Sequence, residues 1–286
     1  MRDDFAIFIC THGRPNKQLT LEALKSCGYT GKIYLVLDDT DETIQQYLDI
    51  YGTENVIIFD KNYYINADKY DNGSNELHSK CIVYAKRAVE DIANQLNFKY
   101  FAIADDDITK FSLRYPVANS AKRFKITDFD SVLSAYINVL SCDVAAIGFG
   151  HVTSYCGGAN SFSPENLSKR YLPYQFILRN GNTKVNWTSW FAEDDITELS
   201  DGKIGKLWLV VPYVMQETEP IGDINATGGM VDTYKKDNMF VLNFNVIRFC
   251  PQSAILRYKP GKLNRYVITR YYDRCFPQLI SEEYKK

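Results

Sequence analysis

The sequence predicts a mixed α/β fold built on a doubly wound sheet flanked by helices, and three observations carry that prediction. Short, wholly apolar runs alternate with amphipathic segments from Phe5 to Ile108, the pattern of parallel strands joined by crossover helices. The polar residues that end these runs, Thr11 to Arg14, Asp38-Asp39 and Asp105 to Asp107, fall at the carboxyl ends of the strands, where open α/β sheets bind ligands. With 286 residues, of which 45% are hydrophobic and 14% aromatic, the chain has the material for a full core.

Phe5 to Cys10 is fully apolar and stops at Thr11-His12-Gly13-Arg14-Pro15, as a central parallel strand does before a polar loop. Asn16 to Cys27 carries Leu19, Leu21, Ala23 and Leu24 in a helical pattern ended by Gly28. Lys32 to Leu37 is a second strand, stopped by Asp38-Asp39-Thr40-Asp41. Thr40 or Asp41 is expected to cap a helix running to Tyr51, with Gly52 as terminator. Asn55 to Phe59 is a third strand, followed by a polar segment from Asp60 to Ser74. Asn75 to Leu96 is expected to form one long helix with Ile82, Ala85, Val89, Ile92 and Leu96 on one face, leading into the acidic strand Lys99 to Ile108.

In the second half, Thr127 to Leu140 reads as a helix, Val144 to Phe149 as a strand and Tyr155 to Asn160 as a loop around Gly157-Gly158. Leu207 to Val214 is a strand, Asn225 to Met230 a loop around Gly228-Gly229, and Met239 to Phe249 is expected to form at least one more strand. No repeat, linker or composition break divides the chain. A single domain of two fused halves is expected, residues 1–109 and 110–286.

The chemistry starts at Asp105-Asp106-Asp107. Side chains two apart on a strand point the same way, so Asp105 and Asp107 are placed to share one divalent cation, with Asp106 facing away or bending with the chain. Adjacent carboxylates repel, and a hard cation with oxygen ligands relieves this; the competing reading is a solvated acidic turn. There is no Gly-x-Gly-x-x-Gly after the first strand and no P-loop sequence, which argues against dehydrogenases and P-loop enzymes. Enzymes that hold a diphosphate through a metal remain. Glycosyl transfer from a nucleotide sugar needs that metal and a carboxylate to deprotonate the acceptor hydroxyl.

Glu193-Asp194-Asp195 closes the aromatic stretch Asn186 to Ile196 and is the candidate for that base; the alternative is a set of acids at a helix N-terminus. Trp187, Trp190 and Phe191 line the site or belong to the core. Arg14 and Lys80 are diphosphate candidates, or solvated charges. His12, His78 and His151 contact metal or phosphate, or are structural.

Net charge is −2 and the isoelectric point about 6.0, so any polyanion binding must be local. Two basic stretches qualify. Lys110, Arg114, Lys122, Arg123 and Lys125 follow the acidic motif; Arg257, Lys259, Lys262, Arg265, Arg270 and Arg274 are interleaved with Tyr258, Tyr266, Tyr271 and Tyr272. The seven scattered cysteines contain no Cys-x-x-Cys pair and fit neither a zinc site nor a disulfide framework. Only six apolar residues precede Thr11, too few for a signal peptide, and no run reaches membrane-spanning length. The expectation is a cytoplasmic protein with no membrane partner, in the host cytoplasm if a phage encodes it.

Phe8-Ile9-Cys10-Thr11-His12-Gly13-Arg14-Pro15, Leu37-Asp38-Asp39, Ser79-Lys80, Ala104-Asp105-Asp106-Asp107-Ile108, Ala192-Glu193-Asp194 and Thr227-Gly228-Gly229 resemble, in order, a GT-A fold glycosyltransferase. The chain resembles in particular the TET/JBP-associated glycosyltransferases of phages, over nearly its whole length. The resemblance implies metal-dependent transfer of a sugar from a UDP-sugar to a hydroxymethylated pyrimidine in DNA, with Mn2+ or Mg2+, by inverting displacement. It implies a donor-binding set of Thr11, His12, Arg14, Asp38, Asp39, Lys80, Asp105 and Asp106, with Asp105 and Asp107 on the metal. It implies Asp194 as base, with Glu193 and Asp195 beside it, and Trp190, Gly228 and Gly229 toward the acceptor. Lys80 stands where the family often has Arg, and Ile196 stands where it tends to carry an acid, so Asp195 shares or takes the role of base. No histidine follows His151, so His151 or water completes the metal shell. The alternatives are the same chemistry on a glycan, lipid or protein acceptor, and a catalytically inactive binding module.

Overall fold

A computed structural model describes residues 1–67, 81–151, 175–219, 239–259 and 265–270. Strand β1 (Phe5–Cys10) is central because all six of its residues are apolar and buried. It pairs in parallel with β2 (Lys32–Asp38) on one side and with β4 (Tyr100–Asp105) on the other, and β2 pairs in parallel with β3 (Val56–Phe59).

Alternation along β1 separates two cores. Phe5, Ile7 and Ile9 face a layer with helices α1 (Leu19–Ser26) and α5 (Phe129–Leu140), whereas Ala6, Phe8 and Cys10 face α4 (Val83–Gln95). The same parity runs along β4: Tyr100, Ala102 and Ala104 join the first layer, Phe101 and Ile103 the second. Each large side chain buried in these layers contributes about 1.5–3 kcal/mol. Two-residue periodicity then directs Asp105, the last residue of β4, toward α4.

Beyond β4 the pairing becomes mixed. β8 (Phe176–Asn180) runs antiparallel to β4, β7 (Val144–His151) antiparallel to β8, and β9 (Leu207–Thr218) parallel to β7. β5 (Ile108–Val117) is antiparallel to β9, and β6 (Ser120–Lys125) to β5. A nine-stranded sheet of order β3-β2-β1-β4-β8-β7-β9-β5-β6 thus runs through both halves of the chain.

The helix ends follow local chemistry. After α1, Gly28 adopts φ 79° and lies so close to the 126–128 segment that an added Cβ would meet Thr127 O at 2.3 Å; only glycine fits there. At the start of α2 (Ile44–Tyr51), Asp41 rather than Thr40 acts, accepting from Thr43 N at 2.8 Å and from Thr43 Oγ1 at 2.6 Å. Inside the segment expected to be polar and irregular lies a short helix, α3 (Lys61–Asn66), capped by Asp60, which accepts from Tyr63 N at 3.0 Å. The long helix expected from Asn75 to Leu96 starts later: Cys81 and Ile82 are described and not helical, and the helix runs Val83–Gln95, while 75–80 lie outside the described residues.

Met239–Phe249 corrects the sequence reading: it is helix α7, not a strand. Eleven mostly apolar residues are longer than most strands. Val246 and Cys250, four apart, pack on Ile196 and Leu199 of α6 (Glu193–Lys203). A separate two-stranded antiparallel sheet, β10 (Ala254–Lys259) with β11 (Arg265–Arg270), lies against α7. Cys10, Cys27, Cys81 and Cys250 are buried free thiols and Cys142 an exposed one. Among the described residues no helix is long and apolar enough to cross a membrane.

Candidate active site

The loop after β1 is fixed from below by Asp106. Thr11 Oγ1 donates to Asp106 Oδ2 at 2.7 Å and Arg14 Nη1 donates to Asp106 Oδ1 at 2.8 Å. Tyr47 of α2 joins them, its hydroxyl 2.8 Å from Thr11 Oγ1 and accepting from Arg14 N at 2.9 Å. Gln18 Nε2 donates to Thr11 Oγ1 and to Arg14 O, each at 2.9 Å. Asp106 is buried, which raises its pKa, while Arg14 and Thr11 act against the rise. Asp106 thus braces the first loop through both of its oxygens.

Thr20 holds the backbone of the acidic turn itself. Its Oγ1 donates to Asp105 O at 2.5 Å and accepts from Ile108 N at 2.9 Å, and its N–H donates to Asp106 O at 3.2 Å. On the other side Glu219 N donates to Asp107 O at 3.3 Å. These bonds fix where the Asp105 and Asp107 side chains start.

A second cluster closes the end of β2. The buried Asp38 accepts from Lys61 Nζ at 3.1 Å and from Thr40 Oγ1, and one of its oxygens lies 3.0 Å from His12 Nδ1. Burial opposes the charge on Asp38, but His12, Thr40 and Lys61 outweigh it and hold its pKa below the usual carboxylate range. The same bond to Asp38 raises the pKa of His12. Asp39 is exposed and accepts from Lys61 N at 3.0 Å. Gly13 N donates to Asp41 Oδ2 at 2.7 Å, tying the first loop to this cluster.

Asp105 and Asp107 are different. Asp105 Oδ1 and Asp107 Oδ1 are buried and, among the described residues, accept no hydrogen bond. Burial raises the pKa of Asp105, and Asp107, Asp106 and Glu193 add to the rise against Lys86. Burial and then Asp106 raise that of Asp107 against Arg14. Such orphaned carboxylate oxygens are costly unless something positive binds them.

The second acidic cluster meets the first through Lys86 of α4. Its ammonium is buried, donates to Glu193 Oε1 at 2.7 Å and stands 4.9 Å from the centre of the Trp187 ring. Burial opposes its charge, yet Glu193, Asp194 and Asp105 together raise its pKa above the ordinary lysine value. One cation therefore lies within electrostatic reach of both clusters. Asp194 has its pKa pushed well above the usual range by burial, then by Glu193 and Asp195, with Lys86 opposing. Asp195 is buried, and its N–H donates to Asp194 Oδ1 at 2.8 Å.

The acids occupy the first turn of α6, so their expected helix N-terminal location is observed together with their approach to Asp105. Ser189 (φ 75°) and Ala192 (φ 52°), both left-handed, turn the chain into the helix. Asn245 of α7 pins this turn, donating to Ser189 Oγ at 2.5 Å and to Phe191 O at 3.3 Å. Trp187 is core, in edge contact with Trp208, while Trp190 is half-buried against Phe191. His151, at the end of β7, is half-buried with Nε2 3.3 Å from Thr218 Oγ1, and burial lowers its pKa. Lys80, Gly228, Gly229 and His78 lie outside the described residues.

Sequence reasoning missed Lys86, Lys61, Tyr47, Gln18 and Thr20. Lys86 had a readable signal: it stands three residues from both Val83 and Val89 on the buried stripe of α4, where a lysine needs a carboxylate partner.

The oxygen-only pair Asp105 and Asp107 fits a hard divalent cation. Among the described residues no group of three or more His, Cys, Asp or Glu side chains assembles to hold a metal.

A doubly wound half ending in an Asp-x-Asp pair thus continues through one mixed sheet into a half that returns a second acidic cluster. The chain belongs to the TET-associated glycosyltransferase family, which matches residues 5–229. It is similar to a mannosyltransferase from Pyrobaculum calidifontis in complex with GDP-Man and Mn2+, at 11% identity and TM-score 0.43 over 78% of this chain and 59% of that one. It is also similar to glucosyl-3-phosphoglycerate synthase from Mycobacterium tuberculosis in complex with Mn2+, UDP and phosphoglyceric acid, at 8% identity and TM-score 0.41 over 93% and 86%. A third similar structure is S. aureus TarS in complex with UDP-GlcNAc, at 11% identity and TM-score 0.42 over 86% and 67%. The chain thus spans 59% of the mannosyltransferase's length. No curated protein matches it.

Proposed function

We propose that this protein transfers a sugar from a UDP-sugar to the hydroxyl of a hydroxymethylated pyrimidine in DNA, by inverting displacement with Mn2+ or Mg2+. The observation that carries the chemistry is the convergence of two largely buried carboxylate clusters on Lys86, with Asp105 Oδ1 and Asp107 Oδ1 accepting no hydrogen bond among the described residues. The acceptor rests on family membership.

In this reading Asp194 accepts the proton of the acceptor hydroxyl as its oxygen bonds to the anomeric carbon. The bond from that carbon to the diphosphate breaks, and UDP leaves with the electron pair. The raised pKa of Asp194 suits a base that must hold the proton it takes. A divalent cation bound by Asp105 and Asp107 would stabilise the charge on the departing diphosphate. Lys86 holds Glu193 and opposes the burial that raises the pKa of Asp194. Thr11, His12, Arg14, Asp38 and Asp39 shape the donor pocket and Trp190 the acceptor side; Lys80 is assigned to the diphosphate, and Gly228 and Gly229 to the acceptor, from the sequence resemblance alone. Residues 1–109 form the nucleotide-sugar half and 110–286 the acceptor half of one domain, acting in the cytoplasm, a phage host's if a phage encodes it.

The test is nucleoside mass analysis of DNA containing hydroxymethylcytosine or hydroxymethyluracil after incubation with the protein, Mn2+ and a panel of UDP-sugars, with and without chelator. A chelator-sensitive hexose or pentose increment is expected. Release of UDP without an increment would move the acceptor to a glycan, lipid or protein, the reading that the net charge of −2 favours. Absence of both would leave an inactive binding module.

A further inference from the structure

The acids of the second cluster enter their helix without local support. Asp194 lies in the first turn of α6 between Glu193 and Asp195, and both neighbours act against its charge. At the N-cap stands Ala192, which makes no side-chain hydrogen bond to the helix and belongs to the poorest capping residues. Ala192 (φ 52°) and Ser189 (φ 75°) are both left-handed. That conformation costs a non-glycine residue free energy and persists where the surroundings enforce it.

Enforcement comes from α7. Asn245 is 4% exposed, and its Nδ2 donates to Ser189 Oγ at 2.5 Å and to Phe191 O at 3.3 Å. Ser189 Oγ passes the constraint on, donating to Phe191 O at 3.0 Å and accepting from Phe191 N at 3.4 Å. Thr188 N, just before the turn, donates to Thr197 Oγ1 of α6 at 3.1 Å. One amide thus ties Ser189 to Phe191, the residue before Ala192, with Trp190 between them. The oxygen of that amide is buried and accepts no hydrogen bond among the described residues. Such an orphan costs stability, while Val246 and Cys250 of the same segment meet Ile196 and Leu199 as apolar groups. An aliphatic side chain at 245 would serve the packing at lower cost, so the amide is explained by the bonds its nitrogen gives.

We propose that Asn245 is a positioning residue for the base: by holding the Ser189–Ala192 turn it sets where the first turn of α6 presents Asp194 to the acceptor hydroxyl. This rests on the reading of Asp194 as base. The acidic turn and the first loop are held by other residues, Thr20, Tyr47 and Asp41 among them, so the effect falls on turnover and not on donor binding.

The test compares Asn245→Leu and Asn245→Ala with wild type and Asp194→Asn in the full chain, at a temperature where melting curves show all of them folded. Leucine keeps the branched shape of asparagine and removes its donors; alanine removes the packing as well. UDP release is measured over a donor series at saturating Mn2+, with hydroxymethylcytosine DNA and with water alone as acceptor. The expected result is a kcat lowered about ten- to a hundred-fold in both Asn245 variants, as for a catalytic group slightly displaced, at an unchanged KM for the donor. A loss in Asn245→Ala that Asn245→Leu restores, or wild-type kcat in both, would overturn the proposal and reduce Asn245 to packing. A donor KM that rises as kcat falls would also overturn it, since the whole site would then have loosened. An inactive Asp194→Asn beside unaffected Asn245 variants leaves the base reading standing. Wild-type turnover in Asp194→Asn, or a wild type that releases no UDP on either acceptor, would overturn both.

Discussion

Two sets of carboxylates at the same sheet edge have opposite surroundings. Asp38 and Asp106 are saturated: each is buried, and each has a cation and a hydroxyl on its oxygens. Asp105 and Asp107 are under-satisfied: a buried oxygen of each has no hydrogen bond among the described residues; burial raises the pKa of both and of Asp194, as it does that of Asp106. The first set builds the loops after β1 and β2, and in the proposed reading the second is kept for the metal and the acceptor. The contrast separates scaffold from chemistry more sharply than sequence position does, since Asp106 lies between two members of the other set.

The sharpest break of this contrast is at the base. Asp194→Asn should lower kcat by about a hundred- to ten-thousand-fold, the range of general base catalysis. Its melting temperature should hold or rise, because burial already disfavours the Asp194 charge. Steady-state transfer assays and a melting curve read both.

The link between the clusters comes next. Lys86→Met leaves the half-buried Glu193 without its cation and should cost no more than about 3 kcal/mol of stability. Since Lys86 lowers the pKa of Asp194, its loss should raise that pKa further and move the acid limb of kcat/KM to higher pH. In the wild type that limb should already lie above the ordinary carboxylate range of about 4, with activity lost as pH falls and Asp194 takes up a proton. Lys86→Arg retains charge and should restore part of the pH profile; an unmoved limb in both variants would reduce Lys86 to packing.

Breaking the saturated set should do the reverse. Asp106→Ala strips Arg14 and Thr11 of their shared partner and should cost about 3 kcal/mol, seen in denaturant melts, with a raised KM for donor and kcat largely kept. The smallest effect is expected at Ala192. Its left-handed backbone costs about 1–2 kcal/mol, which glycine removes while adding unfolded-state entropy. Ala192→Gly should therefore change stability by no more than about 1 kcal/mol, in either assay of melting.

Much of this was legible in the sequence where one physical signal dominated. Apolar runs ending in polar clusters located β1, β2, β3 and β4, whereas the period-two argument stops at Asp105, because β4 ends there and 106–107 form a turn. β6 escaped because Ser120–Lys125 is an edge strand with five of its six residues exposed and so carries no alternation. α7 escaped because an apolar run has no period to read, and its helical spacing shows only in contacts with Ile196 and Leu199. Lys86 escaped because its partner Glu193 is 107 residues away; a lysine on an apolar stripe announces a buried anion but not which one.

The central claim is that Asp107 serves chemistry and its neighbour Asp106 serves the scaffold. The direct measurement is UDP release titrated with Mn2+, alongside melting curves, for wild type, Asp107→Asn and Asp106→Ala at a temperature where all three are folded. The account predicts that Asp107→Asn loses the Mn2+ response at undiminished melting temperature, while Asp106→Ala melts lower and retains the response. A Mn2+ response kept by Asp107→Asn and lost by Asp106→Ala would contradict it.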